Sequence, residues 1–315
     1  MSRRHPISAL VLAGSLAACA QAPGPGVAST SVRATRAESS WVTTQLPAGF
    51  QPGAGAAVGT RLVVLDAGAS SGRILALPAI WATLPNPTPG LQAPVLVAMP
   101  ALKLLAVSTG TGGTAVRLDL ETNRWEEMPA APEGRSDAAI GSYGHTVWLA
   151  GGENVLGASS RVDIFDGLKR QWAMARPLPQ ARSGAGLVQV GARLLLAGGH
   201  AGAGVADGRC WLLEPTTGIW TETAPMPTPR LGATFVAYGN FVLAVGGRDA
   251  GGPSAAVDRF DLATRSWSRQ SLLPEARNHP VAARLGERLV VLGGSDASGR
   301  PSGTVWTTPV TSFLP

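Results

Sequence analysis

Cysteine, lysine and tyrosine are scarce in this chain, and charged residues of either sign are few. The 315 residues include 2 Cys and 2 Tyr, charged residues make up 15% of the total, and of the 26 basic residues only Lys103 and Lys169 are lysines. Two cysteines cannot build a disulfide framework. Because there is neither a basic run nor a basic stripe interleaved with aromatics, we predict no nucleic-acid partner.

Glycine, proline and tryptophan are abundant instead. The chain contains 40 Gly, 25 Pro and 9 Trp, and 45% of its residues are hydrophobic. Such a composition is typical of many short strands joined by tight turns, and it disfavours a protein built from long helices. We therefore expect an all-β fold.

The first 18 residues have the features of a secretory signal peptide. Arg3 and Arg4 give a basic start, an apolar stretch runs from Ile7 to Leu12, and small residues continue to Ala18. The apolar stretch is too short to span a bilayer. The run Leu16-Ala17-Ala18-Cys19 resembles the lipobox of bacterial lipoproteins, in which a peptidase cuts before a lipidated cysteine. An ordinary signal peptide with an incidental Cys19 is the alternative.

Residues 19–40 are predicted to form a flexible tether, because Ala, Pro, Gly, Ser and Thr dominate there and no apolar period is present. Acyl chains on Cys19 would hold the protein on a membrane, and we predict no other membrane contact. In lipoproteins of this kind, a residue such as Ala20 after the cysteine favours the outer membrane. We therefore expect an exported lipoprotein of the bacterial cell envelope, on its periplasmic or cell-surface side.

Two residue types recur with one period of about 47 residues. Glycine pairs and single tryptophans both show successive spacings of 47, 48 and 47 residues. The glycine pairs are Gly151-Gly152, Gly198-Gly199, Gly246-Gly247 and Gly293-Gly294. The tryptophans are Trp125, Trp172, Trp220 and Trp267. A period of this length indicates a repeat architecture.

Each repeat predicts four short strands. In one repeat these are an inner strand over 138–142, a second over 146–150 that runs into the glycine pair, a third over 162–166, and an outer strand with Trp172. A lone twisted sheet of four strands cannot cover both of its faces, so such units stack radially. The glycines permit close backbone approach, and the tryptophan fills space between neighbouring units.

This pattern resembles the Kelch family. The matching features are a glycine pair after the second strand, an acidic end to the third strand at Phe260-Asp261 with Thr264 after it, then Trp267 and Leu273-Pro274. The resemblance covers residues 41–315 and implies a six-bladed Kelch-type β-propeller. Two earlier repeats are degenerate, with Asp66-Ala67 and Ser108-Thr109 in place of the glycine pair.

The last repeat lacks an outer strand of its own. No tryptophan follows its third strand around 305–307, whereas Trp41 and Leu46-Pro47 carry the outer-strand signature near the start of the predicted domain. We therefore predict that residues 41–46 complete the sixth blade and close the ring. Residues 41–315 would then form one propeller domain, which we expect to be a monomer.

A series of arginines predicts the candidate binding site. Sixteen residues before each glycine pair stand Arg135, Arg182, Arg230 and Arg277, and Gln92 is the equivalent in the second repeat. We predict that the four guanidiniums converge at the mouth of the central channel. The site would then resemble that of Kelch domains that bind acidic peptides or acidic sugars, which use Arg at this place. The alternative is that each arginine bonds loop carbonyls and acidic neighbours of its own blade.

Residues directly after the glycine pairs should line the same face and make it chemically mixed. The candidates are Glu153, His200 and Arg248. We predict a noncatalytic binding module for a protein or an anionic glycan. The alternative is a carbohydrate-active enzyme resembling sialic acid mutarotases, or epimerases, with Glu153 and His200 as its acid/base pair.

Other catalytic and metal-binding patterns are not visible in the sequence. His145, His200 and His279 fall in different blades, without metal-ligand spacing, and no nucleophile triad or nucleotide fingerprint occurs. We therefore predict no metal, no cofactor and no assigned catalytic residue. Cys210, beside Trp211, is expected to be a small buried residue.

Overall fold

The computed structural model describes residues 41–68, 71–77, 80–87, 91–99, 103–108 and 113–314. The predicted signal peptide, the tether and Cys19 lie outside these residues. Within the described ranges the chain is built from β-strands and a single 3-10 helix, Val310–Phe313, and contains no helix long and apolar enough to cross a membrane.

The strands form six four-stranded antiparallel sheets, which we number as blades 1 to 6. Blade 1 contains β2 (Pro52–Val58), β3 (Arg61–Asp66), β4 (Gly72–Ala76) and β5 (Ile80–Leu84). Blade 2 contains β6 (Pro94–Met99), β7 (Lys103–Ser108), β8 (Ala115–Asp119) and β9 (Arg124–Met128). Blade 3 contains β10 (Ala139–Tyr143), β11 (Thr146–Ala150), β14 (Val162–Asp166) and β15 (Gln171–Met174).

The second half of the ring repeats this order. Blade 4 contains β16 (Ser183–Val190), β17 (Arg193–His200), β18 (Cys210–Glu214) and β19 (Ile219–Thr223). Blade 5 contains β20 (Thr234–Tyr238), β21 (Phe241–Val245), β24 (Val257–Asp261) and β25 (Ser266–Arg269). Blade 6 contains β26 (Val281–Leu285), β27 (Arg288–Leu292), β28 (Thr304–Pro309) and β1 (Val42–Gln45).

The ring is closed by the start of the domain, as predicted. β1 lies antiparallel to β28, with Val42 opposite Thr307 and Gln45 opposite Thr304. The Trp41 indole N–H also donates to the Leu272 carbonyl at 3.3 Å, at the end of blade 5. Blade 6 therefore has its fourth strand, and the prediction of a six-bladed propeller is confirmed.

The second strand of each blade is apolar without alternation because both of its faces are covered. In β11, Val147 and Leu149 belong to the apolar cluster between blades 2 and 3, while Trp148 and Ala150 belong to the cluster between blades 3 and 4. Outer strands such as β15 are largely exposed. The core is thus a series of apolar layers between successive blades rather than one central cluster.

Two of the recurring tryptophans join neighbouring blades through hydrogen bonds from their indole N–H. The indole N–H of Trp125 donates to the Pro85 carbonyl at 2.8 Å, and that of Trp172 donates to the Pro129 carbonyl at 2.8 Å. Both acceptors belong to the apolar-Pro pair that ends the preceding blade. At these two boundaries the tryptophan of one blade therefore meets the apolar-Pro pair of the blade before it.

The glycine pairs also connect one blade to the next. Gly152 N–H donates to the Arg182 carbonyl at 2.7 Å, and a Cβ on Gly151, whose φ is +65°, would lie 2.3 Å from the same oxygen. The equivalent bond in the next blade runs from Gly199 to the Arg230 carbonyl at 2.9 Å. The repeat needs glycine here because the adjacent blade approaches too closely for any side chain.

Candidate functional site

The loops entering the inner strands and those leaving the second strands meet on one face of the propeller. Backbone hydrogen bonds of 2.9 and 2.8 Å join Ser136 with Glu153, and bonds of 3.0 and 2.8 Å join Leu231 with Arg248. We call this the loop face, defined by the terminal residue pairs of blades 3 to 6. These pairs are Ser136–Glu153, Ser183–His200, Leu231–Arg248 and Asn278–Ser295.

The four predicted arginines reach the interior of the propeller instead of the channel mouth. Arg135, Arg182, Arg230 and Arg277 are 1%, 1%, 0% and 4% exposed. The prediction that their guanidiniums converge at the mouth is therefore wrong. Each side chain instead lies against its own blade, where it reaches the third strand or the loop beside it. A ligand-binding role for these residues stays a prediction.

In blades 3 and 5 the buried arginine pairs with a buried aspartate. Arg135 Nη2 lies 3.0 Å from Asp163 Oδ2, and Arg230 Nη2 lies 2.7 Å from Asp258 Oδ2, with both carboxylates fully buried. Arg230 also donates to the Ala256 carbonyl at 2.7 Å. Burial lowers the pKa of the Arg135 and Arg230 guanidiniums, and the paired aspartates offset part of that effect.

In blades 4 and 6 the arginine is placed on a tryptophan ring. The Arg182 guanidinium carbon lies 4.7 Å from the centroid of Trp211, and that of Arg277 lies 4.6 Å from the centroid of Trp306. The counter-charge comes from loops. Arg182 donates to Asp207 at 2.8 Å, and Arg277 donates to Glu275 at 2.5 Å. These carboxylates are 28% and 63% exposed.

Aspartate and tryptophan occupy equivalent strand positions in these two arrangements. Asp163 lies opposite Leu149, and Trp211 lies opposite Leu196, in each case opposite the residue two before the glycine pair. Blade 1 reverses the pairing, because Phe50 stands at the arginine position and Arg73 lies on its ring at 5.7 Å. This third-strand position was not predicted. The loop between the glycine pair and the third strand is one residue longer in blades 4 and 6 than in blades 3 and 5, so a fixed spacing does not align the position.

The remaining predicted residues lie at three different places. The Gln92 carbonyl accepts a hydrogen bond from Ser108 Oγ at 2.9 Å, so this residue ties together the degenerate loops of blade 2. Arg248 is exposed on the loop face of blade 5. Glu153 and His200 come together across the boundary between blades 3 and 4, with Oε2 4.0 Å from Nε2.

In the Glu153–His200 pair, one nitrogen of the imidazole makes no hydrogen bond with the described residues. The His200 side chain is 13% exposed, and its Nδ1 is buried with no hydrogen-bond partner among the described residues. Throughout the described ranges, no three His, Cys, Asp or Glu side chains are grouped to hold a metal ion. Cys210 is fully buried as predicted, and burial raises the pKa of its thiol to about 12.

An exposed apolar tip on the loop face was not predicted. In blade 3, β12 (Glu153–Asn154) and β13 (Gly157–Ala158) form a two-stranded ribbon with Val155 and Leu156 at its tip. These two side chains are 101% and 92% exposed. The signal available in the sequence was two large apolar residues between Asn154 and Gly157, where a turn requires small or polar residues.

The inner ends of the loops form a collar around the channel mouth, also missed. Asp137, Gly184, Gly232 and His279 stand fourteen residues before their glycine pairs, and their φ angles are +52°, +66°, +62° and +48°. Gly184 N–H donates to the Asp137 carbonyl at 3.0 Å, and Gly232 N–H donates to the Gly184 carbonyl at 3.0 Å. Backbone bonds thus connect three successive blades at the collar.

The collar surrounds a funnel that leads into the central channel. The channel has a volume of about 540 Å³ and is lined by the six inner strands, mostly by glycine, alanine, valine and leucine. The funnel has a volume of about 180 Å³, and its lining includes Asp137 and His279. The buried arginines do not line either space.

Similarities to known proteins are consistent with this architecture. Residues 229–271, which contain the strands of blade 5, match the Kelch motif family. The fold is similar to the solved structure of YjhT, with a TM-score of 0.71, 17% sequence identity, and coverage of 84% of this chain and 94% of that chain. At this level of identity the similarity shows the fold alone.

Proposed function

We propose that this chain, a Kelch-repeat β-propeller, is a noncatalytic binding module that holds a protein partner on its loop face. The observation that carries the proposal is the ribbon tip of blade 3. Val155 and Leu156 are the most exposed large apolar side chains among the described residues. Adjacent apolar side chains held out in water are typical of an interaction site, since burying one such side chain contributes about 1.5–3 kcal/mol.

The tip is held in place before any partner arrives. The Leu156 N–H donates to Asn154 Oδ1 at 2.9 Å, and Asn154 Nδ2 donates to Glu133 Oε1 at 2.7 Å in the preceding loop. Glu153, at the base of the ribbon, is bonded through its backbone to Ser136. A rigid apolar anchor loses little conformational entropy on binding, which favours its use as a contact point for a protein.

The same geometry favours a protein over an anionic glycan. Guanidiniums that recognise an acidic sugar must be open to it, whereas Arg182 is buried and paired with Asp207 of its loop, and Arg230 is buried and paired with Asp258 inside its sheet. The enzymatic alternative also relied on an open arginine cluster beside Glu153 and His200. Those two side chains lie close together without such a cluster, so we propose no reaction for them.

The location is proposed from the sequence. A lipid on Cys19 would anchor the protein to the envelope, and β1, where the predicted tether joins the propeller, is an outer strand of blade 6. Metabolic labelling with an alkyne fatty acid, in wild type and in Cys19→Ser, tests this. We expect label and membrane association only in wild type. Equal labelling of the two proteins would refute lipidation at Cys19.

Site-specific photo-crosslinking tests the binding surface. A photoreactive phenylalanine replaces Leu156 at the tip or, as a control, Met174, which is 74% exposed on the outer strand of the same blade. In cells of the native host we expect a discrete protein adduct from position 156 and none from position 174. Adducts at both positions, or at neither, would contradict the proposal.

A double variant separates binding from folding. Val155→Ser with Leu156→Ser should lose the partner while changing the free energy of unfolding by less than about 0.5 kcal/mol, because both side chains are solvated. Wild type and double variant are also applied to an array of acidic glycans. Binding to acidic glycans that persists in the double variant would favour a glycan ligand instead.

A further inference from the structure

Two residues of the collar adopt a backbone conformation that their equivalents reserve for glycine. Blades 4 and 5 have Gly184 and Gly232 at this place, whereas blade 3 has Asp137 at φ +52° and blade 6 has His279 at φ +48°. The left-handed region costs free energy for a residue with a side chain and almost none for glycine. Non-glycine residues in such conformations concentrate at functional sites.

Neither side chain contributes to the packing of the core. Asp137 and His279 are both exposed, and both line the funnel. A Cβ on Gly232 would lie 2.4 Å from His279 Nε2, so the imidazole lies directly on the collar glycine of the neighbouring blade. The structure therefore places a polar ring on the funnel wall at a position where glycine would be less strained.

The funnel carries an uncompensated negative charge. Of the residues that line it, Asp137 is the one acidic residue, and no Lys or Arg is among them. The Asp137 carboxylate makes no hydrogen bond or ion pair with another residue in the part of the chain that the structure describes. The imidazole of His279, on the same wall, carries ring nitrogens that can hydrogen-bond a ligand. A funnel lined by a carboxylate and by no Lys or Arg favours a cationic donor.

Size restricts the donor further. A funnel of about 180 Å³ admits a ligand of several non-hydrogen atoms, since a water molecule takes up roughly 30 Å³ in the liquid. Where the funnel meets the channel, the wall is formed in part by Ala138, Ala185 and Ala233, which can receive an alkyl chain. A primary ammonium on a short alkyl chain meets both conditions, and its N–H donors can bond the Asp137 carboxylate and a ring nitrogen of His279.

We infer that the channel mouth is a binding site for a primary alkylammonium group, with Asp137 as its counter-charge and His279 as a second acceptor. The group is either a free small amine or the side chain of a lysine. This site is independent of the apolar tip at Val155 and Leu156, so either proposal can fail while the other stands.

Titrations followed by amide NMR shifts test the inference. The probes are n-butylammonium, as a free amine, and Nα-acetyl-lysine N-methylamide, as a lysine side chain; butyrate and n-butanol are the controls. We expect either ammonium probe to shift the amide signals of Ala138, Gly184 and Gly232, and the controls not to. Tighter binding of the lysine derivative indicates a lysine side chain, and binding of n-butylammonium alone indicates a free amine.

Matched variants assign the effect to the collar. Asp137→Asn should weaken binding of the ammonium probes at least tenfold, whereas Asp249→Asn, on the same face in blade 5, should leave it unchanged. Asp137→Gly should abolish binding and raise the Tm, because glycine relieves the left-handed backbone.

Three results would overturn the inference. The first is that neither ammonium probe shifts the collar signals. The second is that butyrate or n-butanol shifts them equally. The third is a lower Tm for Asp137→Gly in a folded protein, which would show that Asp137 is there for stability.

Discussion

Blades 3 and 5 neutralise their buried arginine inside the sheet, whereas blades 4 and 6 do so from a loop. Asp163 and Asp258 stand on the third strand in the first pair of blades, and Trp211 and Trp306 occupy that position in the second. Four blades thus share the buried arginine, whereas the group that neutralises it differs between them. A buried guanidinium can be stabilised by an internal carboxylate, or by an aromatic face with a carboxylate at the edge.

The two arrangements accompany different loops on the loop face. Blades 3 and 5 have two-stranded ribbons after the second strand, β12–β13 and β22 (Arg248–Asp249) with β23 (Gly252–Pro253). In blade 4 the corresponding loop contains Asp207, whose N–H donates to the Gly199 carbonyl at 2.8 Å while its carboxylate meets Arg182. The carboxylate that neutralises Arg182 therefore belongs to the loop that stands in blade 4 where blades 3 and 5 have a ribbon.

The largest expected effect is in blade 5. Asp258→Asn leaves the fully buried Arg230 without its internal counter-charge, so the free energy of unfolding should fall by about 3–5 kcal/mol. Urea denaturation followed by tryptophan fluorescence measures the loss. The control is Asp261→Asn on the same strand, whose carboxylate accepts from the Ala263 N–H in a turn and should cost about 1 kcal/mol. A loss below that of the control would break the comparison.

A smaller effect is expected in blade 4. Asp207→Asn should cost about 1 kcal/mol, because Arg182 keeps the Trp211 face and the side-chain carbonyl of Gln180, to which it donates at 2.9 Å. If Asp207→Asn costs as much as Asp258→Asn, the two arrangements are energetically equivalent and the distinction between them fails.

The Asp207 effect should also depend on pH. Partial burial raises the pKa of this carboxyl, but hydrogen bonds from the Arg209 N–H and the Arg182 guanidinium lower it by more, so it lies below its ordinary value. A carboxyl whose pKa is lower in the folded state stabilises the fold above about pH 4, and this contribution is lost as the pH falls through the folded value. Urea midpoints of wild type and Asp207→Asn should therefore differ at pH 7 and converge in acid.

The smallest effect is expected in blade 1, where aromatic ring and guanidinium have exchanged places. Arg73→Met removes a cation–π contact of 5.7 Å with Phe50 and an exposed hydrogen bond of 2.6 Å to Thr83 Oγ1, and should cost about 0.5 kcal/mol. Arg61→Met, on an exposed position of the same blade, is the control and should be neutral. A cost of several kcal/mol for Arg73→Met would show that this contact in blade 1 stabilises the fold as strongly as the buried ion pairs of blades 3 and 5.

Much of the fold could be predicted because its signals are local. The inner strand predicted over 138–142 is observed as Ala139–Tyr143, and the third strand predicted over 162–166 is observed as Val162–Asp166. The closure of the ring by residues 41–46 was predicted from Trp41, which stands near the start of the domain while no tryptophan follows the third strand of the last repeat. The loop face was also predictable in outline, since Glu153 and Arg248 lie on it.

The orientation of the arginines could not be predicted in the same way. Arg135 and its partner Asp163 are separated by 28 residues, and counting from the glycine pair puts Asp163 and Trp211 at different offsets although the sheets align them. Counting a fixed number of residues from the glycine pair cannot detect that one loop is a residue longer than another. The exposed tip at Leu156 depended on a ribbon too short to show a periodic pattern.

The sequence by itself determined the number of blades, their strand order and the strand that closes the ring. These follow from glycine and tryptophan at fixed spacing, because the glycine pairs of blades 3 to 5 and several of the tryptophans contact the neighbouring blade. Only the tertiary structure decided that the arginines are internal and that Asp137 and His279 surround the channel mouth. Whether a charge is buried depends on which carboxylate the fold brings beside it, and that residue is distant along the chain.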